Sequence, residues 1–483
     1  MVNTLHLAVA ASTIGFAGAN TYVVPNEFSK AGQPLDGYVS YSLEFSSFPD
    51  FAGNKSYPNM FSYNMLNNLG EIMGAKPYIR VGGNTQDYAL YDASQSLSLV
   101  GKVDPNRSPD YPTTIHIGPA YFESYDTWPD VKFSHGFNLG LGGNNSEGWQ
   151  TLVDTIPLVC KILGLEKLYT WEYGNEPDLY SVSAQGPVRP ATWNEANYVR
   201  QWHNGTKEIR SQIRRHCPEL PASQPRFMAP SFAALSNPLK EDVTWAADLN
   251  KNADIELFST HKPGLSNTFG AALWGIDFNL YSAAAGFKRV HMHQGTNYRY
   301  QAWQPVATDK ATMGTKAPYY GSIAVAAMLR NSVKRPVSIS SIPLSSDQEA
   351  AYSAHYTPGA GRPGKLARIM VLNMRGYNTT VDGAGLEPLP DPEKRPSKQY
   401  SFNVSQGAQD GQKVIVQRLV ANGSDAVTGI TFDSWSYNFE LDHGKPVRLD
   451  NVTFGETAVV ADGAVTVDLP DSSAALLTFA KRC

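Results

Sequence analysis

Charge is scarce in this chain. Only 17% of its 483 residues are Asp, Glu, Lys or Arg, and their near balance leaves a formal net charge of -4. That removes the electrostatic case for binding nucleic acid. Cysteine is scarcer still: Cys160, Cys217 and Cys483 show no metal-ligand spacing, and their odd number leaves at least one thiol without an intrachain partner. Cys160 falls on the apolar face of a helical pattern and reads as a core residue. Long apolar runs are missing beyond residues 5–19, so no segment is long enough to span a bilayer. Leu5–Ala19 is apolar, rich in small residues and ends Ala17-Gly18-Ala19, as a secretory leader with an A-x-A cleavage site does. Its flank carries no Lys or Arg, and a buried N-terminal strand is the alternative reading. A leader over residues 1–19 implies a secreted, extracellular protein.

What is present is apolar and aromatic. With 42% apolar residues the chain is globular rather than disordered, and its length accommodates two domains with large cores. Tyr, Phe and Trp make up 11%, which suits stacking on sugar rings and equally suits an aromatic-rich core. Glycosylation sequons begin at Asn54, Asn144, Asn204, Asn378, Asn403, Asn422 and Asn451, with a poorer one at Asn106, which Pro109 follows. Together with a leader they point to a glycosylated secreted protein.

Strand and helix patterns alternate through the first two-thirds. Strands are expected over 41–46, 78–82, 131–137, 168–173, 226–231, 255–261 and 289–293. Helices are expected over 59–73, 147–163, 192–216, 268–285 and 320–330. Repeated βα units of this kind predict a (β/α)8-type TIM barrel over residues 20–335. After Pro336 short alternating strands punctuated by Gly, Pro, Asn and Asp predict a C-terminal antiparallel β-sandwich over 336–483. The strand count falls short. Only Lys262–Asn267 separate the sixth strand from the next helix, where a helix and a returning strand are expected. One βα unit, about 30 residues in such barrels, is missing near residues 261–263.

The fourth strand ends in chemistry. Leu168–Pro177 reads LYTWEYGNEP, an apolar run closed by Gly174-Asn175-Glu176-Pro177. A carboxylate at the C-terminal end of a barrel strand is the usual position for a general acid/base. Asn-Glu-Pro in this setting resembles the acid/base motif of clan A retaining glycoside hydrolases. Further segments match in order: Tyr41–Asn54 (YSLEFSSFPDFAGN), Arg80–Asp87 (RVGGNTQD), Pro263–Leu280 (PGLSNTFGAALWGIDFNL) and Arg289–Trp303 (RVHMHQGTNYRYQAW). With these segments the chain resembles fungal β-glucuronidases of glycoside hydrolase family 79, relatives of heparanase. The resemblance implies hydrolysis of terminal glucuronic or 4-O-methylglucuronic acid with retention, no cofactor, and glucuronic-acid-bearing glycans as partners. It makes Glu176 the acid/base, Asn175 the residue that bonds the sugar's 2-hydroxyl, and Glu44 a sugar-binding position, with a structural salt bridge as the alternative for Glu44. Asn84 and Asp87 are expected either to contact hydroxyls or to shape a turn, and Gln294 to line the pocket.

The nucleophile does not carry over. In relatives it ends the seventh strand shortly before the Pro-Gly-Leu-Ser segment, and a nearby Tyr loop holds the substrate carboxylate. Here Pro263 follows almost directly on the sixth strand. Glu256 lies too early in that strand to replace it, and Glu172 reads as a buried partner. The chain as written is therefore expected to be inactive, from either a misread intron or a genuinely shortened gene. A carbohydrate-binding pseudoenzyme is the alternative. A metal-dependent hydrolase using His291, His293 and His261 is a weaker one, because such sites carry their histidine pair on the first strand and need further ligands.

Overall fold

The computed structural model describes residues 21–25, 31–108, 112–143, 145–183, 185–221, 226–234, 237–252, 255–260, 267–330, 336–357 and 364–479. The leader, Asn144, His261 and Cys483 lie outside them. The first two-thirds is built on one parallel sheet. Its strands are β1 (Val39–Glu44), β2 (Ile79–Gly82), β3 (Phe133–Phe137), β4 (Leu168–Tyr173), β5 (Phe227–Phe232), β6 (Ile255–Thr260) and β7 (Val290–Gln294). They pair in the order β6-β5-β4-β3-β2-β1-β7, every neighbour parallel. Every residue of β1, β3 and β5 is buried, as expected where helices cover one face and a packed interior the other. These seven strands are the seven the sequence pattern marks, their ends shifted by one or two residues. Among the described residues β6 and β7 are the outer strands and do not pair with each other.

The helices follow the apolar periodicity. They are α1 (Met60–Met73), α2 (Ser146–Lys167), α3 (Glu195–His216), α4 (Phe269–Ala284) and α5 (Ala317–Leu329). Asn59, Asn145 and Asn194 cap the first three, each accepting a backbone N–H from the first turn. In α2 the expected face is buried at Leu152, Ile156, Val159, Cys160 and Leu163. The α5 sequence is apolar all round rather than on one stripe, and all its residues but Pro318 are buried. Such a helix must be enclosed on every side, and α5 is, by α4, α1 and the C-terminal sheet.

That sheet contains β8 (Val337–Ile342), β9 (Glu349–Tyr356), β10 (Leu366–Asn373), β12 (Lys413–Val420) and β14 (Ser473–Phe479), ordered β8-β9-β10-β14-β12 and continued by short strands. A second sheet joins β11 (Ser397–Asn403) to β13 (Ala464–Pro470) on one side and to Thr21–Val23 on the other. The period of two sorts the larger sheet's side chains. Met370, Leu372, Ala474 and Leu476 enter the cluster shared with the barrel helices. Their neighbours Ile369, Val371, Ala475 and Leu477 enter the cluster shared with the second sheet. The larger sheet is thus buried on both faces, and the start of the chain is anchored in the C-terminal domain.

Cys160 is buried, as its helical face predicts, but it is not a free core thiol. It is disulfide-bonded to Cys217, the residue that ends α3, across a sequence separation of 57 residues. The closed loop contains β4 and the Asn-Glu-Pro turn. Cross-linking a loop of this length restricts the unfolded chain by about 4 kcal/mol in the chain-entropy model. The double variant Cys160→Ser/Cys217→Ser is expected to lose about 2–4 kcal/mol, read as a lower urea midpoint with the slope little changed. An unshifted midpoint would show that the bond contributes nothing.

Candidate active site

The strand ends of β1, β2, β4 and β7 meet at the C-terminal edge of the parallel sheet, and the carboxylates expected from the sequence sit there. Glu44 closes β1 and is 1% exposed. One of its oxygens accepts the Thr85 backbone N–H at 2.8 Å and the Thr85 hydroxyl at 2.5 Å. The other lies 3.3 Å from His293 Nε2 and accepts the Tyr298 hydroxyl at 3.2 Å. Burial pushes its pKa up, but the His293 contact and the Thr85 bonds outweigh burial and hold it below the ordinary carboxylate value. The turn after β2 exists to admit this group. Gly83 adopts a φ of 104°, and a Cβ there would stand 2.7 Å from a Glu44 oxygen.

Beneath the site lies a buried guanidinium. Arg80 on β2 is 3% exposed. Its Nε donates to Glu172 at 2.7 Å, one terminal nitrogen donates to Ser42 at 2.8 Å, and the other to Asn175 Oδ1 at 2.7 Å. Because Asn175 Oδ1 accepts from Arg80, its Nδ2 turns to Asn84, donating to Oδ1 at 2.8 Å. Asp87 fixes the backbone of the same turn. Its carboxylate accepts N–H groups from Asn175 at 2.8 Å, Leu139 at 2.8 Å and Gly140 at 2.9 Å. Both of its oxygens are used by backbone and it is 1% exposed, so it shapes the turn, one of the two roles expected of it. Burial raises its pKa to about 6 against the pull of those donors.

Glu176 follows in the left-handed region at φ 47°, unusual for a residue with a side chain. Its N–H donates to the Ser231 carbonyl at 2.9 Å and its carbonyl accepts Leu179 N–H at 2.9 Å, which hold the turn. The carboxyl is partly exposed. Burial, then the charge of Asp178, push its pKa up to about 7, with Arg80 opposing and Glu44 adding. A carboxyl group that holds its proton near neutral pH while a neighbouring carboxylate stays ionised is suited to donate a proton to a leaving oxygen.

The remaining expectations separate. Gln294 is 1% exposed and its Oε1 accepts the Ala302 N–H at 2.7 Å, so it pins the loop after β7. Its Nε2 has no partner among the described residues. Glu172 is a buried partner of Arg80, not a second carboxylate at the mouth. The side chain of Glu256 lies outside the description. His293 is shared between Ser42 and Glu44, while His291 is half-buried with its pKa lowered to about 3 by desolvation. No group of three or more His, Cys, Asp or Glu among the described residues could hold a metal ion. Sequence reasoning did not single out Arg80, Thr85 or Tyr298. Arg80 and Tyr298 stand inside the matched segments, but nothing local marks a strand arginine as buried or a loop tyrosine as turned inward.

This sheet, with carboxylates of separated proton affinity at its C-terminal edge and a β domain behind it, defines the glycoside hydrolase class. Residues 351–476 match the model of the glycosyl hydrolase family 79 C-terminal beta domain. The chain is 49% identical to a β-glucuronidase of Neurospora crassa, covering 94% of this chain and 96% of that protein. It is 45% identical to a β-glucuronidase of Aspergillus niger, covering 92% and 91%. It belongs to glycoside hydrolase family 79. The fold is shared with a 4-O-α-L-rhamnosyl-β-D-glucuronidase from Fusarium oxysporum (TM-score 0.70, 20% identity, 95% of this chain and 100% of that one). It is shared more distantly with the catalytic domain of xylanase C from Talaromyces cellulolyticus (TM-score 0.51, 11% identity, 96% and 100%). The N. crassa alignment runs over 540 positions, more than the 483 residues of this chain. That relative therefore has residues with no counterpart here.

Two measurements check the electrostatics. Arg80→Ala strands Glu172 without its cation and should cost about 3–5 kcal/mol, seen as a lower denaturation midpoint; a shift within error would mean water replaces the guanidinium. The Glu176 carboxyl carbon should titrate by NMR near pH 7. Its folded pKa lies above the ordinary 4.5, so the folded chain keeps a proton that the unfolded chain releases. Stability is unaffected below pH 4.5 and falls as pH rises towards 7. Glu176→Gln should match the parent at pH 4 and exceed it by about 1–2 kcal/mol at pH 8, after allowance for solvent screening.

Proposed function

We propose that this chain is a secreted, glycosylated member of the β-glucuronidase type. Its site takes a terminal glucuronic or 4-O-methylglucuronic acid, and hydrolysis by retention is impaired because the nucleophile strand is absent. The observation carrying this reading is the arrangement at the sheet ends. A closed barrel of this kind has eight strands, whereas among the described residues β6 and β7 are the outer strands of a sheet of seven. The missing position falls between the strands that would flank the nucleophile, and a relative with more residues supports the same reading. The architecture is read as an opened (β/α)8 barrel with a C-terminal β-sandwich. Glu176 is assigned as acid/base, Asn175 as a sugar ligand, Glu44 as the buried charge that holds Thr85, His293 and Tyr298 around the sugar, and Arg80 and Asp87 as the groups that position Asn175.

Retention requires a second carboxylate about 5–5.5 Å from the acid, on the opposite face of the sugar. Glu44 does not supply it: its oxygens are committed to Thr85, His293 and Tyr298. With the donor alone, Glu176 protonates the leaving oxygen but nothing captures the oxocarbenium face.

The test is a 4-nitrophenyl β-D-glucuronide. Pure folded protein should release no phenolate above buffer. Added azide should restore slow release: azide bonds to C1, the C1–O bond to the aryl group breaks, and the product is the α-glucuronosyl azide. Rapid turnover in plain buffer would refute the missing nucleophile. Calorimetric titration with glucuronic acid should saturate, and Glu44→Gln should weaken it about tenfold, the loss of one charge-assisted contact. Saturable binding without azide rescue favours the carbohydrate-binding alternative, and no binding at all refutes both.

A further inference from the structure

A groove of about 460 Å³ opens beside the active-site face, where the turn after β1 and the start of α1 meet the C-terminal domain. Its walls include Asp50, Tyr57, Met60, Phe61, Phe439 and His443. Phe61 and Phe439 meet edge to face at 4.9 Å, closing the floor across the two domains. The rim is unusual. Tyr57 is 81% exposed and Met60 54% exposed, adjacent large apolar side chains held in water.

The exposure of Tyr57 is not slack in a loose loop. Asn54 Oδ1 accepts the Ser56 N–H at 2.9 Å and the Tyr57 N–H at 2.8 Å. The Asn54 N–H donates to the Tyr57 carbonyl at 3.2 Å, and Lys55 pairs with Asp126 at 3.0 Å. The turn is fixed, and it presents the ring. Asn54 is also the acceptor of the sequon Asn54-Lys55-Ser56. With its Oδ1 committed inward to the turn, its Nδ2 has no partner among the described residues and can face solvent. Asn54 is half-buried and flanks the groove through Gly53 and Tyr57, which line it, without lining it itself; Asn378, Asn403, Asn422 and Asn451 are exposed and do not line it.

We propose that Asn54 carries an N-linked glycan whose first sugars lie against Tyr57 and cover the groove. The proposal rests on the chain entering the secretory route. There the Asn54 amide nitrogen attacks C1 of a lipid-pyrophosphate-linked oligosaccharide. The N–C1 bond forms, the C1–O bond breaks, the amide loses one proton, and the lipid pyrophosphate leaves with the electron pair. The apolar face of an N-acetylhexosamine then stacks on the Tyr57 ring. The fixed turn holds acceptor and ring three residues apart, so little ordering is lost when they meet. The glycan acts as a cover for the seam between the two domains and not as substrate.

The experiment uses the full chain made in a fungal secretory host. Peptide mass spectrometry should find Asn54 occupied. Asn54→Gln should lower Tm by about 1–2 °C in the parent, with no such loss when Tyr57 is replaced by Ala. Tyr57→Phe keeps the ring and should preserve the coupling; as the side chain is exposed, these variants should fold. An unoccupied Asn54, or an equal loss with and without the ring, overturns the proposal. Saturable binding of a neutral oligosaccharide to the parent that Tyr57→Ala abolishes and Glu176→Gln preserves also overturns it, because the groove would then be a separate ligand site. Its outcome does not depend on glucuronide binding or on azide rescue.

Discussion

The site depends on one buried arginine. Arg80 reaches from β2 to β1 through Ser42 and to β4 through Glu172 and Asn175. A guanidinium taken out of water is costly unless its donors are used and its charge is matched. Glu172 supplies the charge, and the two other partners fix the plane. Since Arg80 occupies Asn175 Oδ1, the amide has only its NH2 to offer elsewhere. Asp87 adds the backbone half of the same constraint by accepting three N–H groups around the turn. Glu176 can hold a left-handed backbone because the residue before it is immobilised through both side chain and main chain.

The sheet poses the opposite problem. Parallel strands in barrels are held by neighbours on both sides, and closure removes exposed edges. Here, among the described residues, β6 and β7 each have one strand neighbour. Most of the core is packed independently of these two outer strands. β1 to β5 retain their parallel order, α5 stays enclosed, and the larger C-terminal sheet is buried on both faces by alternating residues. An extensive apolar core therefore forms without any pairing of β6 to β7 among the described residues.

Much of this was legible in the sequence because periodicity is local. The seven strands of the parallel sheet, the five long helices and the Asn-Glu-Pro turn follow from apolar spacing and from Pro and Gly positions. The misses share a physical cause: each depends on a partner far along the chain. Cys160 looks like any buried helical residue until Cys217 is brought to it at the end of α3. Asp87 carries both readings, ligand or turn, until Asn175, Leu139 and Gly140 are seen to spend both its oxygens. Nothing near Gln294 in sequence announces that its Oε1 accepts the Ala302 N–H. Side-chain type and spacing state what a residue can bond, whereas the fold decides which bond it makes.

The two carboxyl groups that remain at the sheet edge show how environment divides chemistry. Both are taken from water, which by itself favours the neutral acid. At Glu44 the donors win: a backbone N–H, two hydroxyls and an imidazole converge on it, and the charged form is held. At Glu176 burial wins, and the charges of Asp178 and Glu44 push the same way. In a retaining pair, repulsion from an ionised nucleophile is a further force keeping the acid protonated. Here the raised proton affinity of Glu176 follows from burial and from the charges of Asp178 and Glu44, against Arg80. It is thus tuned by groups on β1, β2 and the turn after β4. The same two sheet-edge carboxyl groups, both drawn out of water, are thus set to opposite protonation preferences by the donors and charges around them.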